Sequence, residues 1–264
     1  MKALLASPLG LLIGFALGAL GGGGSILAVP ALVYAAGQTP SDATTTSLLV
    51  VAGASLFGLE GHRRAGRVRW AQGIVFGLVG IGGSIAGTAL NRRLDGDVLL
   101  LAFSGLIFVA AWRMLTACPS CTRVGEQAAL QESERRARGI TSKWVAAVAG
   151  AGTAVGFLTG LFGVGGGFVI VPALTLALGF TMPEAIGTSL VVITINAATA
   201  LGFRGGLDAV EWDVAIPFTV AAMLGVAAGV RAADRLTSET LLRGFAALLV
   251  VVAAYTASSA MLAL

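Results

Sequence analysis

Residues 3–41 contain no Asp, Glu, Lys or Arg, and most of them are apolar. As one helix, residues 3–36 would extend roughly 50 Å at about 1.5 Å per residue, against a membrane hydrocarbon core of about 30 Å. The stretch must therefore be divided, and Gly21-Gly22-Gly23-Gly24-Ser25 divides it. Glycine carries the largest helix penalty among ordinary residues, about 1 kcal/mol each, so four in a row favour two half-helices or a steep bent pair. The tract returns as Gly163-Val164-Gly165-Gly166-Gly167, running into Phe168-Val169-Ile170-Val171-Pro172-Ala173-Leu174 as the first runs into Ile26-Leu27-Ala28-Val29-Pro30-Ala31-Leu32. At this offset of 142, residues 14–51 and 156–193 share 18 identities in 38 positions, where chance gives roughly four or five. The chain reads as an internal duplication.

Further charge-free runs cover 43–59, 70–91, 98–112, 145–183, 185–203, 214–230 and 244–264. Most reach the roughly 17–25 residues that a membrane helix needs. Only 11% of the 264 residues are charged and 56% are hydrophobic, whereas a soluble domain carries about 25% charged residues. Backbone polar groups in hydrocarbon must pair internally, and the alternation of barrel strands is absent, so the runs are helices. The expectation is an all-α polytopic membrane protein of two homologous repeats, each of about four membrane helical segments and each opened by a glycine-broken helix. Residues 1–116 form the first repeat, 117–143 a polar linker on the cytoplasmic side, and 144–264 the second. Lys2 before an apolar run imitates a signal peptide. Its copy at 146–162 lies mid-chain, so the first segment is read as mature structure.

Within each repeat, Ser25 is placed to cap the second half-helix, and Thr39-Pro40-Ser41-Asp42 has the spacing of a capping box that Thr181-Met182-Pro183-Glu184 repeats. The next helix ends near Leu59, before a basic turn at 60–69 containing His62. Trp70 and its copy Trp212 begin the third helices as interfacial anchors. A fourth helix covers 97–115, and the second half repeats the plan with a broken segment at 145–179 and helices near 184–203, 212–231 and 239–262. If each broken segment crosses the membrane, there are eight spans and parallel repeats; if each is re-entrant, the repeats are inverted. Lysine and arginine counts do not separate the two.

Simple inventory excludes several chemistries. The two lysines, Lys2 and Lys143, lie outside any Gly-Lys-Ser/Thr setting, so there is no phosphate loop. A single histidine rules out His-Glu-x-x-His zinc chemistry, and its place in the basic turn points to a solvated role. Cys118-Pro119-Ser120-Cys121 lacks a second pair for a zinc site and reads as ordinary reduced thiols, with redox sensing the alternative. No Gly-x-Ser-x-Gly elbow appears. The chain is not read as an enzyme, and no cofactor or metal is expected.

The breaks carry the functional signal. A half-helix starting inside the membrane presents unpaired N–H groups and its positive dipole end, which suit an anion. Such breaks must be enclosed by protein or line a watery cavity, and two of them in corresponding repeats point to a transporter's central site. The candidate binding residues are Gly23, Gly24, Ser25, Gly165, Gly166 and Gly167 at the breaks, with Thr46, Ser47, Thr188 and Ser189 as hydroxyl donors. The competing reading has the glycines serving tight helix crossing and the hydroxyls satisfying local carbonyls. Asn196, the lone amide of its helix, needs a partner at that depth, either substrate or a neighbouring helix. Asp42 and Glu184 flank both breaks and are candidates for proton coupling, although the capping box is a sufficient local reason for each. Arg204 reads as a snorkelling interface residue, with attraction of anions the alternative.

The Gly-Val-Gly-Gly-Gly-Phe-Val-Ile-Val-Pro-Ala-Leu run at 163–174, its copy at 21–32, the Thr-Ser pairs at 46–47 and 188–189, and the doubled layout resemble the TauE/SafE family of sulfite exporters. Ser25 stands where the second copy has Gly167, and Gly22 where it has Val164. The resemblance implies a multi-pass plasma-membrane permease (the inner membrane in a bacterium) exporting sulfite or related organosulfur anions. Its partners would be a small anionic substrate, the lipid bilayer and a coupling ion, proton or sodium, with no nucleic acid; self-association stays open. Two alternatives remain at this point: a passive anion channel on the same scaffold, and an accessory membrane protein that transports nothing.

Overall fold

A computed structural model describes residues 2–91, 93, 96–117, 142–162, 167–203 and 210–263. Gly165, Gly166, Cys118, Cys121, Arg204 and most of the linker lie outside the described residues. All regular structure described is helical: α1 (Lys2–Leu20), α2 (Gly23–Ala36), α3 (Pro40–Arg64), α4 (Trp70–Asn91), α5 (Gly96–Ala117), α6 (Ser142–Phe162), α7 (Gly167–Pro172), α8 (Met182–Phe203), α9 (Trp212–Arg235) and α10 (Ser238–Ala263). A π-helical turn, Ala173–Ala177, continues α7 past Pro172. Among the described residues, five stretches are long and apolar enough to cross a membrane: Asp42–Arg64, Trp70–Asn91, Val145–Phe162, Met182–Phe203 and Trp212–Arg235. Leu12, Leu78, Ile85, Trp112, Phe203 and Val251 stand exposed on the outer faces, an arrangement that suits lipid rather than water.

Local chemistry accounts for the helix ends. One of the two expected capping boxes is complete, Thr181 Oγ1 accepting the Glu184 N–H at 3.4 Å while Glu184 Oε2 accepts from Thr181 N at 3.2 Å; in the other, Thr39 Oγ1 accepts the Asp42 N–H at 3.3 Å, and the Asp42 carboxylate takes the Thr39 hydroxyl. After α2, Gly37 turns left-handed at φ +70°, so that its N–H reaches Val33 O at 3.1 Å and the Gln38 N–H reaches Leu32 O at 3.3 Å. α3 does not stop near Leu59. It continues to Arg64, with Glu60 bonding Arg63 and Arg64 along its outer side, so the basic turn is only the stretch 65–69.

Two pairs of helices run lengthwise together, α1 with α9 and α4 with α6. Gly10, Gly14 and Gly18 lie against Phe218, Ala222 and Val226; Gly152, Gly156 and Gly160 lie against Phe76, Gly80 and Ser84. Each contact of the first set recurs in the second after the same shift of 142. The numbers ascend together in both sets, so each pair is parallel. α3 also runs with α9, Gly53 facing Thr219, Gly58 facing Val226 and Gly61 facing Val230. α8 runs against α3, Gly58 meeting Leu190 and Arg67, past the helix end, meeting Gly187; α4 runs with α8, Gly73 facing Thr188 and Gly77 facing Ile195, and so opposes α3. A Cβ at Gly14 would overlap the Ala222 carbonyl oxygen, and one at Gly156 that of Gly80. Small residues every fourth position therefore let these backbones touch. Leucine at Gly14 or Gly156 should cost more than the about 1–3 kcal/mol of ordinary overpacking, since the obstacle is backbone. Fluorescence-detected gel filtration should show aggregated or poorly inserted protein for both, whereas Gly105→Leu, with nothing within 4 Å, should elute as the parent does.

Candidate functional site

α1 ends because Gly21 adopts φ +73°, a conformation that side-chain-bearing residues avoid. Its N–H closes on Leu17 O at 2.9 Å. α2 then starts at Gly23, with Gly22 as its N-cap and no side-chain cap. Ser25 does not cap it: α2 begins two residues earlier, so Ser25 lies within the first turn and its Oγ donates to Gly22 O at 2.7 Å. The direction of α2 also changes sharply. A Cβ at Gly24 would lie 2.7 Å from Leu17 N and 2.5 Å from Ile13 O, although a straight helix would put residues 13 and 24 about 16 Å apart along its axis. α2 is folded back beside α1.

This turn meets the second half of the chain. Gly22 and Gly167 approach so closely that a Cβ on Gly22 would overlap the Gly167 carbonyl, and one on Gly167 would sit 2.7 Å from Gly22 O and close upon Ser25 Oγ. A Cβ on Gly21 would come 2.6 Å from Ser189 Oγ and 3.3 Å from Ile186 Cα. Of the sequence-derived candidates, Ser25, Gly167 and Ser189 thus gather in one cluster with Gly21 and Gly22. Gly23 instead faces Phe245 and Leu248 of α10, and Gly24 faces α1.

The hydroxyls are largely engaged. Ser47 Oγ donates to Thr44 O and Ser189 Oγ to Ile186 O, each at 2.8 Å, and a hydroxyl has one proton to give. For Ser25, Ser47 and Ser189 the bond seen is to a local carbonyl. Thr188 Oγ1 accepts the backbone N–H of Arg69 at 3.1 Å. Thr46 is fully buried, and its Oγ1 has no partner among the described residues. Asn196 is half-buried about two turns beyond Ser189, next to Ile195, which packs on Gly77.

The two acids differ. Asp42 is partly exposed and accepts from its own cap, Thr39, at 2.6 Å. Glu184 is 4% exposed and holds Arg69 through Nε at 2.9 Å and through Nη2. Sequence reasoning passed over Arg69, whose bond to Glu184 joins residues 115 positions apart. It also misplaced His62. Because α3 runs on past Leu59, His62 points inward and is fully buried, with Nε2 3.0 Å from Gly18 O. The stripe Val51, Ser55, Leu59, His62, spaced by three and four and buried throughout, was the available signal.

The family model described as Sulfite exporter TauE/SafE matches residues 6–256. A probable membrane transporter protein of Xylella fastidiosa (strain 9a5c) is 36% identical over 92% of this chain and 90% of its own length. Its counterpart in strain Temecula1 is 37% identical over the same shares. The probable membrane transporter protein YunE of Bacillus subtilis is 27% identical over 91% of the chain and 92% of its own length. No solved structure matches the chain. With nearly the whole chain matched, and with helices long enough to span a bilayer, this protein belongs to the TauE/SafE family of membrane transporters and is not an enzyme.

Proposed function

We propose that the chain is a secondary transporter of the plasma membrane that exports small anions, sulfite or related organosulfur anions, by alternating access around the junction of Gly22 with Gly167. The observation that carries this reading is the backbone contact between the turn opening α2 and the start of α7. It brings an uncapped helix N-terminus, suited to negative charge, against the corresponding segment of the other half. Helix directions support inverted repeats. α1, α3 and α9 point one way and α4, α6 and α8 the other, so α6 opposes its sequence counterpart α1, and the folded-back α2 supports a re-entrant first segment. In such transporters one repeat rocks against the other around a fixed central site. Backbone amides near Gly23, together with the Thr46 hydroxyl, would replace the anion's hydration, with Ser25, Ser47, Ser189, Thr188 and Asn196 lining the path. Asp42 and Glu184 are the proposed coupling acids, for proton or sodium.

Proteoliposomes loaded with sulfite and given an inward-directed proton gradient test the reading. Saturable efflux with counterflow is expected. Absence of protein-dependent flux for sulfite and for sulfonates would remove the anion assignment, and conductance without counterflow would replace the transporter by a channel.

A further inference from the structure

We propose that His62 is a positioning residue that holds the first break open by occupying a carbonyl the broken helix leaves unpaired. In a continuous helix Gly18 O would accept the N–H of residue 22. The left-handed turn at Gly21 directs the chain away after Gly21 N–H has closed on Leu17 O, and the imidazole of His62, arriving from α3, takes the vacated bond at 3.0 Å. A carbonyl only accepts, so Nε2 carries the proton. The ring is fully buried, and its Nδ1 has no partner among the described residues, which leaves the bond to Gly18 as the ring's single hydrogen bond. The Arg67–Asp234 ion pair, 2.7 Å, closes the nearby end of α9, and the Arg67 N–H donates to His62 O at 3.0 Å, which fixes the backbone behind the ring.

Near the end of α6, too, backbone carbonyls accept side-chain hydrogen bonds, from different residues. Gly160, the counterpart of Gly18, accepts from Thr88 Oγ1 at 3.4 Å, and Leu161 accepts from Asn91 Nδ2 at 2.6 Å. Both carbonyls lie in the last turn of α6, as Gly18 lies in the last turn of α1. Without His62, the buried Gly18 carbonyl is satisfied most directly by rewinding, with the Gly22 amide taking it back. That movement would pull Gly22 off Gly167, and through this consequence the inference deepens the transport reading and rests on it.

The test separates the two. Hydrogen exchange of the full chain in detergent micelles is followed by mass spectrometry over peptides covering residues 16–26. In His62→Leu the amides of Gly22 to Gly24 should exchange at least tenfold more slowly. His62→Gln, whose amide nitrogen matches the reach of Nε2, should exchange as the parent does, whereas His62→Asn, one bond shorter, should behave as leucine does. Unchanged or faster exchange in the leucine variant, or no difference between glutamine and asparagine, overturns the proposal. If the leucine variant does not fold, the glutamine and asparagine pair decides alone. In sulfite-loaded proteoliposomes the asparagine variant should lose about tenfold in maximal flux with glutamine restoring most of it. A parent protein that moves no sulfite ends the transport reading and leaves the exchange result standing.

Discussion

Gly22→Ala is expected to abolish sulfite flux in proteoliposomes while the protein still inserts in the membrane. The added methyl would overlap both the carbonyl oxygen and the carbonyl carbon of Gly167. These are backbone atoms, which no rotamer change can move aside, so the opening of α2 and the start of α7 must separate. Overpacking of about 1–3 kcal/mol or more corresponds to roughly five- to 150-fold or more in the population of the touching arrangement. Gly23→Ala next door is the control, because its nearest obstacle is the Leu248 Cδ2 atom at 2.5 Å, the far end of a flexible side chain. That variant should keep most of its flux. Monodisperse Gly22→Ala protein transporting at the parent rate would show that the junction lies off the anion's path.

The contrast between these neighbours shows how far the sequence could be read. Four consecutive glycines indicate that a helix is hard to continue, because their cost is local and additive, and α1 indeed ends at Leu20. Trp70 and Trp212 likewise begin α4 and α9 where amphipathic rings at an interface would put them. Which glycine turns left-handed and which one touches the other half depend on tertiary geometry that no spacing rule contains. The serines were ambiguous for a related reason: a hydroxyl within a helix can serve either its own turn or a ligand, and Ser47 and Ser189 bond their own turns. His62 was hidden because the arginines that follow it suggested water, whereas Arg63 and Arg64 face outward and the histidine one step away on the same helix faces in. Arg69 carried a signal of another kind. Its counterpart in the second half is Glu211, and a reversal of charge at corresponding positions can identify a contact made at one end only.

That contact sets the second large effect. Glu184 has a side chain 5% exposed, and Arg69 one 26% exposed. One carboxylate oxygen takes both guanidinium bonds and the other takes the Thr181 N–H, while the Arg69 backbone N–H is held by Thr188. Removing either partner leaves a mostly buried charge. Arg69→Leu or Glu184→Leu should therefore cost about 3 kcal/mol, the low end for breaking a buried pair given the partial exposure of the arginine. The double variant should recover much of that loss, and thermal unfolding of all four proteins in micelles would give the coupling directly. Additive losses would mean that the pair contributes only through its separate hydrogen bonds. At the corresponding place in the first half, Asp42 and Glu211 are both acidic, so no matching pair can form there. On the proposed inverted-repeat reading, one end is tied by an ionic contact that the other end lacks, and opening at the tied end would require that contact to part. Glu184→Gln keeps a capping-box side chain but weakens the tie. If Glu184 couples ion movement to transport, this variant should still exchange sulfite for sulfite at roughly the parent rate and lose the acceleration that a proton gradient gives. If Glu184 serves only as a cap and ion-pair partner, both rates should fall together with stability.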